Sequence, residues 1–283
     1  MGQQQLLFVR RDAFLPCCTS SARGRLCLAA EFGIMQKKEQ GKGVLHLGSI
    51  QSFVDTMDWS SLIGLLISAL SCLLCITVHE LSHGLMAYRL GDPTAKNAGR
   101  LTLNPMKHLD LFGLVMMLVA KVGWAKPVPV DMRFFKKPKQ GMALTALAGP
   151  ASNFITGFVA IAVVSLILSL TTTPNTGLLV LLCFLCNIVI FSIGMGIFNL
   201  IPISPLDGSK IFFSFLPDKI YYTILRYERY VMILLVALTF FGVLSKPLSF
   251  LIVNVLRGFC AVFGMPIETV LVLQNYTYLL GGM

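Results

Sequence analysis

Five consecutive residues, His79-Glu80-Leu81-Ser82-His83, carry side chains with a direct chemical use. On a helix, positions four apart share a face, so the imidazoles of His79 and His83 can take adjacent corners of one zinc tetrahedron. Glu80, roughly 100° round from His79, can reach a metal-activated water without ligating the metal, which is where a general base is wanted. The pentapeptide alone also arises by chance in soluble helices. Its location decides: an apolar run from Leu62 to Val78, seventeen residues without a formal charge, leads straight into it. Such a run with its flanks suits a membrane-spanning helix, since ~30 Å of hydrocarbon needs ~20 residues. Ionisable groups inside a span are costly and are kept for a role. The residues therefore read as a metalloprotease motif set into a bilayer.

The rest of the chain must position that motif from within the same solvent. At 283 residues, 55% hydrophobic and 13% charged, with mean hydropathy +0.77, it is far from a soluble domain, where about a quarter of residues are charged. The net charge of +10 does not indicate nucleic acid, because the basic residues fall in short segments between apolar runs, without a basic stripe. They report topology instead. Of the eight cysteines, Cys72-x-x-Cys75 and Cys183-x-x-Cys186 lie in uninterrupted apolar helical runs. There cysteine packs as a small hydrophobe and no disulfide framework is expected, with a redox or second-metal role as the alternative.

Residues 1–56 are polar and basic without sustained periodicity, and lack the apolar core a secretory signal needs. They are expected to be disordered or the product of a mis-called start, with Met57 the natural initiator. The first helix should end at Gly91-Asp92-Pro93, where glycine can cap and proline cannot continue. Arg89, Lys96, Arg100 and Lys107 follow, marking the cytoplasmic side, so this helix runs outside to inside. Leu109 to Val122 is apolar but too short to cross and reads as a re-entrant segment. Gly123 to Val130, with prolines alternating with valines, suggests an extended edge strand that Gly99 to Leu103 can pair with in a small β-hairpin. Met142 to Leu170 is a second span, Leu178 to Leu200 a third returning inward, and Tyr230 to Leu244 with Leu248 to Phe263 a closing helical hairpin. The expected fold is an all-α polytopic membrane protein of about five transmembrane helices plus the re-entrant segment and β-hairpin. Its catalytic core would be residues 57–216 and its C-terminal hairpin residues 217–283.

Two more residues bear on the site. Asn153, near the start of the second span, is either helix-packing glue or a polar group aimed at the metal, since an amide among apolar residues must find a partner. Asp207 follows Pro202 and Pro205, which break the third span near its cytoplasmic end. Irregular backbone at membrane depth is tolerated only where protein or a watery cavity surrounds it. Because His79 lies late in one inward-running helix and Asp207 follows another, both reach the same level, and Asp207 can supply a third ligand. His46 and His108 have weaker claims, and Glu228 and Glu268 read as solvated ends.

These signatures together resemble the site-2 protease family of intramembrane zinc metalloproteases, in its compact prokaryotic form without a PDZ domain. The resemblance covers residues 58 to about 215. It rests on the pentapeptide, Gly99 to Pro105, Gly123 to Val130, Ala148-Gly149-Pro150-Ala151-Ser152-Asn153 and Asn199 to Gly208. Ser204 stands where these proteins often have proline. The resemblance implies Zn2+ held by His79, His83 and Asp207, Glu80 as general base, and Asn153 as transition-state stabiliser. It also implies a single-span membrane substrate, such as an anti-sigma factor or a signal-peptide remnant, and a multi-pass protein of the plasma membrane with its active site towards the cytoplasm. Two rivals stand beside it: a CAAX-type membrane zincin drawing its third ligand from a downstream glutamate, and a zinc-binding membrane scaffold that cuts nothing.

Overall fold

The computed structural model describes residues 5–8, 59–108, 110, 122–171 and 173–276. Most of the N-terminal extension, His46 and nearly all of the expected re-entrant segment lie outside the described residues. Helix α1 (Trp59–Arg89) carries the pentapeptide, and a short α2 (Thr94–Asn97) follows. Strand β2 (Val122–Ala125) precedes α3 (Pro138–Leu170) and α4 (Thr176–Asn199). The chain ends in α5 (Asp207–Phe213), α6 (Asp218–Phe240), α7 (Ser245–Val262) and α8 (Ile267–Tyr276).

Helix starts and stops follow local chemistry. Gly91 adopts a positive φ of 104° just beyond α1, where a left-handed residue closes a helix, and Pro93 forbids its continuation. Pro138 occupies the first turn of α3, where its missing N–H costs nothing. Asn175 caps α4, its side chain accepting from Leu178 N–H at 2.9 Å.

Among the described residues, four stretches are long and apolar enough to cross a membrane: Ile63–Arg89, Pro138–Leu170, Thr176–Asn199 and Ser245–Val262. The expected count of about five exceeds this by one, and the reason is α6. Tyr230 to Leu244 is not an independent helix but the apolar end of one whose first half carries Lys219, Arg226, Glu228 and Arg229.

Helix α4 is the centre of the bundle. The core joins Cys72, Cys75 and Ile76 of α1, Ile161 and Val164 of α3, Ile252 and Leu256 of α7, and Val270 of α8 around Leu182, Cys186, Val189 and Ile193 of α4. Hydrophobicity alone cannot hold helices together in lipid, so small and polar contacts matter. Along α1 and α4, Ser68 Oγ donates to Asn187 Oδ1 (3.5 Å), Ser71 Oγ to the Phe184 carbonyl (3.3 Å), and Cys75 Sγ meets Ser192 Oγ (3.2 Å). Both Cys-x-x-Cys pairs are buried free thiols in this packing. Large apolar side chains remain exposed on the outer faces, among them Leu66, Leu70, Ile155 and Leu166, as a lipid-facing surface requires.

The ladder partner of β2 is unexpected. It pairs antiparallel with β1 (Gln5–Phe8), Leu6 opposite Trp124, not with Gly99 to Leu103. Strand pairing ends at Ala125, and the Pro-Val-Pro-Val stretch continues without ladder bonds.

After Asn199 the chain turns through Leu200 to Leu206, with Ser204–Pro205 cis, and α5 begins at Asp207. Asp207 is therefore the first residue of a short helix, not a residue of irregular backbone as the prolines suggested. A carboxylate is well placed at a helix N-terminus. The turn is tight: a Cβ on Gly208 would collide with the Leu200 carbonyl and the Ile201 oxygen. Gly208→Ala should therefore shift α5 and cost about 1–3 kcal/mol of stability. A lower thermal unfolding midpoint together with reduced zinc content in purified protein would be the readout.

Candidate metal centre

His79 and His83 lie one turn apart on α1 with their rings edge to face, centroids 4.5 Å apart. The turn between α4 and α5 brings in Asp207 from 128 residues away. His79 Nε2 and His83 Nε2 are 3.0 Å apart, and each stands 3.1 Å from Asp207 Oδ2. All three residues are buried, and among the described residues they form the one cluster with donors close enough to share an ion. No carboxylate from Glu228 or Glu268 joins it, which removes the support a CAAX-type arrangement would need.

The donor set fits zinc on its own chemistry. His83 Nδ1 lies 2.7 Å from the Thr145 carbonyl, which can only accept, so Nδ1 carries the proton and Nε2 presents a lone pair to the cluster. Two imidazole nitrogens and a carboxylate oxygen converging at 3.0–3.1 Å with little solvent match the three protein donors that an open tetrahedral zinc site takes.

Asp207 lies outside the spans, and burial by itself would raise its pKa. The facing His83 ring and the Lys210 ammonium overcome this and hold it well below the usual carboxylate range. Lys210 Nζ is 3.4 Å from Asp207 Oδ1 and is itself buried. It thus engages the oxygen that does not face the histidines. Sequence reasoning passed over this lysine, although its spacing on α5 puts it on the same face.

Glu80 is buried and held by one oxygen. Val128 N–H donates to Oε2 at 2.9 Å, while Oε1 has no hydrogen-bond partner among the described residues. With prolines at 127 and 129, Val128 supplies the one backbone donor of the Pro-Val-Pro segment. The stretch expected to be a bare edge thus also fixes the carboxylate. Asn153 is fully buried and reaches the site: its Nδ2 lies 3.0 Å from His79 Nδ1.

Helix α3 comes this close because Gly149 has no side chain. A Cβ there would collide with Cε1 and Nε2 of His83 and with Cε1 of His79. The sequence displays Gly149 beside Pro150 but not that the two rings rest on it.

His108, by contrast, is structural. Its Nε2 lies 2.9 Å from the Thr102 carbonyl, its own carbonyl accepts from Lys126 N–H at 2.9 Å, and it is buried. Burial, partly offset by the Thr102 contact, lowers its pKa and keeps the ring neutral at pH 7. With buried Arg100, whose guanidinium donates to the Lys107 carbonyl, it secures the loop leading towards Val128.

Two outcomes follow from this geometry. Gly149→Ala must displace both imidazoles, and misplacement by about 1 Å costs on the order of 10²-fold in rate; zinc analysis and a cleavage assay should both register it. Val128→Pro removes the N–H on Glu80 and should lower cleavage while leaving zinc content at the wild-type level.

The Peptidase family M50 profile matches residues 67–176, which include His79, Glu80, His83 and Asn153 and stop short of Asp207. The chain is 40% identical over 167 residues to "Putative zinc metalloprotease YwhC" of Bacillus subtilis, covering 57% of this chain and 74% of that protein. It is 30% identical over 106 residues to "Putative zinc metalloprotease Rip2" of Mycolicibacterium smegmatis, covering 36% of this chain and 41% of that one. No solved structure matches. With four helices among the described residues long and apolar enough to cross a bilayer, a three-residue cluster that could hold a metal ion and this relationship to YwhC, the chain is a multi-pass zinc metalloprotease that belongs to peptidase family M50, the site-2 proteases.

Proposed function

We propose that this metalloprotease hydrolyses peptide bonds of membrane-spanning substrates within the bilayer, with Glu80 as general base. The observation that carries the reading is the state of Glu80. Its carboxylate is buried beside two histidines, fixed through Oε2 by Val128 N–H, with no hydrogen-bond partner for Oε1 among the described residues. A carboxylate that served packing alone would have both oxygens satisfied. A scaffold that only binds metal has no use for it.

His79, His83 and Asp207 are the ligands in this reading. Zinc bound by them supplies Lewis-acid polarisation and an activated water at neutral pH. Glu80 Oε1 takes the proton of the attacking water and later delivers it to the leaving amine. The burial of the site keeps bulk water away and strengthens each electrostatic contact.

The substrate must arrive as unpaired backbone, because a helix hides its carbonyls in internal hydrogen bonds. An unwound segment can add along Val128 to Val130 by strand pairing. Since the Val128 N–H is engaged by Glu80, such pairing relies on this segment's carbonyls and on Val130. A single-span membrane protein, an anti-sigma factor or a signal-peptide remnant among them, fits this requirement. Basic residues Arg89, Lys96, Arg100, Lys107, Arg133, Lys136 and Lys137 gather at the end of α1 and the start of α3. That supports placing the site towards the cytoplasmic face of the plasma membrane.

Glu80→Gln is the test. Loss of a general base costs about 10²–10⁴-fold, so cleavage should fall by that factor with zinc retained. Membranes from the variant should accumulate an uncut single-span protein absent from the wild type. Undiminished cleavage by Glu80→Gln would overturn the assignment.

A further inference from the structure

Three residues of α3 at helical spacing, Thr145, Gly149 and Asn153, face the two imidazoles. Thr145 offers its carbonyl to His83 Nδ1 at 2.7 Å, Gly149 a bare backbone to both rings, and Asn153 its carboxamide to His79 Nδ1 at 3.0 Å. Positions i, i+4 and i+8 form one stripe on a helix. The stripe addresses each histidine at the nitrogen opposite the cluster.

The two contacts are not alike. The Thr145 carbonyl accepts the proton of His83 Nδ1, leaving the Nε2 lone pair for a metal. At His79 the amide presents Nδ2, a donor that asks Nδ1 to accept and would place the proton on Nε2, the nitrogen facing His83 and Asp207. A ligating Nε2 cannot carry that proton, so in a neutral imidazole bound through Nε2 the proton resides on Nδ1. The partner of Nδ1 must then be an acceptor. Asn153 has one in reserve: its Oδ1 is fully buried and has no hydrogen-bond partner among the described residues. The two ends of a carboxamide occupy nearly the same volume, so a half-turn of the amide puts Oδ1 where Nδ2 stands without moving the helix.

We propose that Asn153 is a positioning residue for the metal centre: with zinc bound, its Oδ1 accepts the Nδ1–H of His79, fixing that ring's tautomer and plane as the Thr145 carbonyl does for His83. The half-turn also changes what the free end of the amide offers. It becomes an NH2 group, a donor suited to a developing oxyanion, where an acceptor would repel one. The role in transition-state stabilisation that the family resemblance implies thus depends on the ligand being held first.

The inference rests on zinc being bound by His79, His83 and Asp207. The experiment measures zinc affinity of the detergent-solubilised full-length chain by competition with a chromophoric chelator, for wild type, Asn153→Leu and Asn153→Asp. Leucine has similar volume and no acceptor, and aspartate accepts from Nδ1–H but cannot donate. The expected result is affinity about 10–100-fold weaker for Asn153→Leu and at least equal to wild type for Asn153→Asp. Wild-type affinity in Asn153→Leu would overturn the proposal. So would a loss in Asn153→Asp, which also decides the matter should the leucine variant not fold. Wild-type protein that binds no zinc would instead sink the metalloprotease site itself, and neither result depends on Glu80 or on turnover.

Discussion

Three electron-rich atoms facing one another inside a lipid-embedded bundle are tolerable only if positive charge lies among them. His79 Nε2, His83 Nε2 and Asp207 Oδ2 stand 3.0–3.1 Å apart in a region with little water to separate them. In a low-dielectric interior an unpaired carboxylate is costly, whereas a coordinated one is not. The rest of the molecule is arranged to satisfy this constraint. Helix α1 supplies two donors, the turn after α4 swings in the third, and α3 closes against the far edge of the rings. Lys210 balances the carboxylate oxygen turned away from the histidines.

Packing and chemistry use the same contacts. Membrane helices associate where small residues let backbones approach, and Gly149 is such a residue, yet what approaches it is a pair of imidazoles rather than another backbone. Gly208 plays the same part for the α4–α5 turn, where the Leu200 carbonyl leaves no room for a side chain. Positions that a packing analysis would assign to helix association thereby set the geometry of the donors.

Much of this was legible in the residues. The spacing of His79 and His83 places them on one face whatever surrounds them, and the apolar run ahead of them supplies the membrane context. Asp207 followed from a depth argument, in which two helices read from their flanking charges as running inward end at one level. Asn153 was an open choice between glue and site, and the structure places it against His79. The contacts that could not be read are mostly backbone groups. The Val128 N–H on Glu80 and the Thr145 carbonyl on His83 are present in every residue type and depend on tertiary arrangement alone. The partner of β2 was misjudged for a related reason: a short strand pairs with whatever edge the fold delivers, here Gln5–Phe8. The excess span came from an apolar stretch whose helix extends back into charged residues.

The wide separation of the donors along the chain has a bearing on biosynthesis. A polypeptide emerges N-terminus first, so the histidines of α1 enter the membrane long before Asp207, 128 residues further on, has been translated. Until α3 and α4 are inserted and the turn to α5 has closed, the nascent protein holds two imidazoles without their third donor and has no complete ion-binding set. The three-residue cluster is thus completed only after the third long helix is in place.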